Sequence, residues 1–101
     1  MSIDVSNLSA GSVVYVGSAF YSYAGANAYV QKYQLLIPEH RLANAMYGTV
    51  QSKPQVLPEI VFGCEADAWK YVAGELRKMA DNINKQASEI EIKAQPVNEA
   101  A

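Results

Sequence analysis

The stretch 65-EADAWKYVAGELRKMADNINKQASEIEI-92 decides the fold. Its apolar residues fall at Trp69, Val72, Leu76, Met79, Ile83 and Ile90, with Ala87 close to the stripe. Steps that alternate three and four place these residues on one helical face and exclude a strand. Glu65 and Asp67 stand in the first turn, where acidic side chains complement the helix dipole. A helix of this length runs about 40 Å at 1.5 Å per residue. A compact domain of about 100 residues has a radius of gyration of about 13 Å. The helix must therefore cross its domain and protrude, or pair with something.

The rest of the chain is read from that helix outward. Val13 to Val16 and Ala19 to Tyr23 are two β-forming runs with Gly17-Ser18 between them, which reads as a hairpin turning at Gly17. Residues 28–37 fit both a helical and an alternating period. Their aromatic and β-branched content and the following Pro38 favour a third strand. Pro38 and Glu39 suit a helix start, and Leu42 to Tyr47 a short helix closed by Gly48. Pro54 and Pro58 mark residues 49–58 as a loop, and Glu59 to Phe62 as a short strand feeding the long helix. The expected fold class is α+β: a small, mainly antiparallel sheet, made of the N-terminal hairpin plus one or two strands, packed against the long C-terminal amphipathic helix. Residues 1–8 read as an arm or short edge strand, 9–92 as a single domain and 93–101 as a flexible tail.

Composition limits the function. The chain has 101 residues, 18% of them charged, with a net charge of −2. A mildly acidic chain lacks the surplus of Lys and Arg that duplex nucleic acid demands. No window has the apolar length to span a bilayer, and no signal peptide is expected. The single Cys64 cannot form an internal disulfide, so the expected compartment is the reducing cytoplasm.

Four groups of residues are candidate sites. Tyr21, Tyr23, Tyr29 and Tyr33 belong to a dense run of tyrosines, and Tyr is enriched where proteins recognise partners. The competing use for those rings is to cover the sheet. Met79, Ile83, Gln86 and Ile90 on the outer half of the helix suit a partly polar seam with a second copy. His40 and Arg41, in the first turn of the expected short helix, suit an anion. Cys64 at the start of the long helix is a weak nucleophile candidate, because Glu65 and Asp67 disfavour its thiolate. A lone histidine makes no zinc set, and no catalytic motif is present, so neither metal, cofactor nor enzymatic activity is expected. The leading expectation is a homodimeric protein-interaction module acting as an inhibitor or adaptor, of the size of phage and mobile-element accessory proteins. The alternative is a nucleotide or phosphate-binding protein that stacks a base on tyrosine and holds the phosphate with Arg41 and His40.

Overall fold

The computed structural model describes residues 2–94. Four strands, β1 (Val13–Ser22), β2 (Gly25–Ile37), β3 (Leu42–Tyr47) and β4 (Val50–Val56), form one antiparallel sheet in the order β1-β2-β3-β4. One helix, α1 (Glu65–Ala94), lies across β1 and β2. The α+β class and the helix on a small antiparallel sheet are as expected from the sequence.

The element boundaries differ from the sequence expectation at four places. β1 runs straight through Gly17-Ser18, and the hairpin turns instead at Tyr23-Ala24, where Gly25 takes a positive φ of 117°. Gly17 serves packing rather than a turn. Residues 38–47 are not a short helix: Pro38–His40 form a single 3₁₀ turn, Arg41 takes a left-handed φ of 55°, and Leu42–Tyr47 is the central strand β3. There Ala43, Asn44 and Ala45 are buried between β2 and β4, so tertiary context overrides the helical preference of Leu, Ala and Met. Residues 50–56 form an edge strand rather than a loop. Pro54 is compatible with it because the edge leaves one side of the strand without a partner, and Lys53 beside it discourages a further strand. Residues 28–37 are a strand, as read. The strand expected at 59–62 shrinks to two isolated bridges of Phe62, one with Ser2 and one with Tyr15, and the two backbone hydrogen bonds to Tyr15 measure 2.8 and 2.9 Å.

The sheet is covered on both faces near its middle. Strand alternation puts Tyr15, Gly17 and Ala19 on the face under α1, and Val14, Val16, Ser18 and Phe20 on the other. On the helix side, Ala68 and Val72 are buried and the Phe62 ring packs at 5.2 Å from Tyr71. On the opposite side, Val14, Leu35 and Ala43 form a core with Val5, Leu57 and Val61. Residues 3–8 and 57–61 thus cover the second face, and the Ile3 amide donates to the Val61 carbonyl at 2.8 Å. The N-terminal segment is therefore part of the packed body. The tail expected at 93–101 lies outside the described residues from 95 onward, and Lys93 and Ala94 complete the last turn of α1.

Only the first half of α1 touches the sheet. Every residue from Ala80 to Ala94 is exposed. The molecule measures 71 × 25 × 22 Å, with a radius of gyration of 19.9 Å, against about 13 Å for a compact chain of about this length. The protruding helix anticipated from the sequence is present.

Two glycines separate the roles of close approach and open space. A Cβ at Gly17 would lie 2.7 Å from Val72 Cγ2 and 2.9 Å from the Ala68 carbonyl oxygen, so the helix rests on bare backbone. A Cβ at Gly74, inside α1, would meet nothing within 4 Å. Gly17→Ala is expected to destabilise the fold by about 1–3 kcal/mol through overpacking, whereas Gly74→Ala should stabilise it by about 0.5–1 kcal/mol through helix propensity. Denaturant unfolding of both variants checks the opposite signs.

Candidate functional site

The uncovered part of the sheet carries an aromatic patch. The register pairs Ser18 with Tyr29 and Tyr33 with Ala45, and so puts Phe20, Tyr29, Tyr33 and Tyr47 on the face opposite α1. Beyond the core of Val14, Leu35 and Ala43 this face has no cover among the described residues, and Phe20, Tyr29 and Tyr47 are 48%, 50% and 61% exposed. Such values exceed what core packing leaves open, so these rings present a surface. Phe20 meets Tyr29 edge to face with ring centroids 6.4 Å apart, which fixes both rings. Tyr33, half-buried, joins the patch to the core, and its hydroxyl accepts from Gln55 Nε2 at 3.2 Å. Val50, opposite Tyr47 at the edge, extends the apolar area.

The four tyrosines read from the sequence therefore divide. Tyr29 and Tyr33 share the patch, Tyr21 lies on the other face of β1 opposite Ala26, and Tyr23 stands in the turn, fully exposed. Phe20 and Tyr47 belong to the patch and escape the sequence reading. A turn placed at Gly17 destroys the register that brings Phe20 beside Tyr29, and a helix over 42–47 gives Tyr47 no face at all. The signal available was Gly25: with the turn set just before it, the alternation of β1 and β2 follows.

Arg41 and His40 are placed by the 3₁₀ turn, not by a helix N-terminus, so the free helical amides expected to bind an anion are absent from this position. Arg41 lines a shallow groove of about 310 Å³ with Ser2, Ile3, Asp4, Val5 and Glu59, and donates from Nη2 to the Pro58 carbonyl. His40 does not line it. The two hydrogen bonds from Ser6, hydroxyl first and then amide, hold the Asp4 carboxyl below its ordinary range. One guanidinium with two carboxylates gives a groove without surplus positive charge. It does not favour phosphate. At the helix start, a hydrogen bond from the exposed Cys64 holds the Asp67 carboxyl low. A carboxylate held low in this way is a weak base, and so a poor activator of that thiol.

The oligomer residues named from the sequence lie where the helix leaves the body. Met79 is half-buried at its exit, while Ile83, Gln86 and Ile90 are exposed beyond it. No group of three metal-binding side chains occurs among the described residues, and no helix among them is long and apolar enough to cross a membrane. No protein-family model, curated protein or solved structure matches the chain.

Burial, followed by the neighbouring Tyr47 and Tyr29, raises the Tyr33 phenol above its ordinary 10.0. The folded chain thus holds this proton more tightly than the unfolded chain. The contribution to stability is complete below about pH 10 and is lost as the pH rises through the folded value. Tyr33→Phe should consequently differ from the parent chain by a constant amount at neutral pH, with the gap changing in favour of the variant at alkaline pH. Denaturant unfolding of both chains across that range measures it.

Proposed function

We propose that this chain is a small, non-enzymatic protein-interaction module that works in the cytoplasm as a homodimer and binds another protein as a stoichiometric inhibitor or adaptor. The observation that carries this reading is the exposed aromatic patch of Phe20, Tyr29 and Tyr47, on the part of the sheet face opposite α1 that residues 3–8 and 57–61 leave open. Tyr and Phe offer large contact areas at low rotameric cost, which is why they concentrate at the centres of interfaces. The protruding half of α1, with exposed Ile83 and Ile90, supplies a second surface suited to self-pairing.

The nucleotide reading has less behind it. Arg41 adjoins the end of β3 that pairs with Ile37, whereas Tyr29 lies eight residues back along β2, roughly 26 Å away at 3.3 Å per residue. That span is too long for one mononucleotide to stack on Tyr29 and reach the guanidinium.

The test replaces patch residues that contribute nothing to the buried core. A chain carrying Phe20→Ser and Tyr29→Ser is expected to fold and to keep its oligomeric state. It should lose the proteins that tagged wild-type chain retains from its host, as read by quantitative mass spectrometry of the captured material. Equal capture by the two chains overturns the patch as the binding surface.

A further inference from the structure

From Ala73 to its end, α1 carries a second pattern within its apolar stripe. Ala73, Leu76, Ala80, Ile83, Ala87, Ile90 and Ala94 follow one another at alternating steps of three and four, so that alanine and a large aliphatic residue alternate on a seven-residue repeat. This stripe runs beside the sheet-facing residues Ala68 and Val72 and continues off the body, where Ile83 and Ile90 are 39% and 62% exposed. A repeat that keeps its period beyond the last contact with the sheet is not explained by the sheet.

We propose that the helices of two copies pair antiparallel along this stripe, each alanine set against a large aliphatic residue of the partner. The proposal rests on the self-pairing reading above and adds its direction and register. In that register Ala80 faces the partner's Ile90, Ile83 faces the partner's Ala87, and Leu76 faces the partner's Ala94. A small side chain opposite a large one at every layer fills the seam evenly and lets the axes approach to roughly 8 Å, the close end of helix packing. Two copies set parallel would put alanine against alanine and isoleucine against isoleucine, in alternately thin and crowded layers.

The flanking charges choose the direction independently. Arg77 and Glu91 both follow the large position of their heptads, one near the body and one near the helix end. Antiparallel pairing brings Arg77 beside the partner's Glu91 and Glu91 beside the partner's Arg77, two equivalent ion pairs at the ends of the seam. Asn84, midway between them, meets its own copy near the twofold axis, as does Gln86 on the other flank. Polar side chains that find partners in only one register are a known device for fixing alignment in coiled coils. In a parallel pair Arg77 and Glu91 stand two heptads apart, about 21 Å at 1.5 Å per residue, and cannot meet.

The decisive experiment is sedimentation equilibrium of the full chain under reducing conditions, so that exposed Cys64 forms no cross-link. The wild type is expected to be a dimer. Arg77→Glu alone and Glu91→Arg alone should each weaken it about tenfold or more, because two attractive contacts become repulsive. Mixing the two variants should restore the dimer, since each then supplies the charge that the other needs. Ile83→Asp, beyond the last half-buried residue of the helix, should abolish pairing. A monomeric wild type, or a dimer that survives Ile83→Asp, overturns helix-mediated pairing altogether. A dimer broken by Ile83→Asp but indifferent to both charge changes, or not restored by mixing, overturns the antiparallel register alone.

Discussion

The structure depends on the contact between Gly17 and the Ala68–Val72 turn of α1. A helix resting on a sheet is normally held off by side chains of the sheet. Here the strand offers bare backbone, and Val72 Cγ2 occupies the space a β-carbon would need. Ala68, the smallest side chain that still fills the seam, stands in the adjoining turn. This close approach sets where the helix crosses β1 and, with its length, how far it must extend past the body. The sheet is too small to receive thirty helical residues, so the second half has nothing to rest on.

That same crossing divides the surface. The helix covers one face of β1 and β2, and residues 3–8 and 57–61 cover the other face only around Val14, Leu35 and Ala43. The length of the β1–β2 hairpin carries it past this cover, so the rings of Phe20 and Tyr29 are left in the open, in contact with each other. Tyr33 marks the border, with its ring against the core and its hydroxyl on Gln55. Two exposed apolar surfaces therefore follow from one limitation, a core too small for the elements that surround it. They lie on different elements, the sheet face and the distal helix, so the proposed self-pairing and the proposed partner binding draw on different side chains.

The polar features have a consistent place in this arrangement. Asn44, buried in the central strand, donates to Gln51, which donates in turn to Gln34, so three neighbouring strands are tied by side chains as well as by backbone. Arg41 uses its guanidinium on the Pro58 carbonyl and lies near Asp4, which places its charge in the service of the chain's own loops. The guanidinium that looked available for a ligand in the sequence is engaged in closing the fold.

The sequence by itself determined the helix, its boundaries to within two residues, its excess length and the α+β class, because helical periodicity is a local property sustained over many turns. It also marked 28–37 as a strand through β-branched and aromatic content next to a proline. What it left open was everything set by register. Leu42 to Tyr47 became a strand because hydrogen-bonding partners on both sides and burial of Ala43 and Ala45 outweigh a weak local preference for helix. Gly17 reads as a turn to any local rule, since only the helix arriving fifty residues later explains why no side chain stands there. The aromatic patch needed both corrections. Its members come from three strands, and only the pairing of those strands puts Phe20, Tyr29 and Tyr47 on one face.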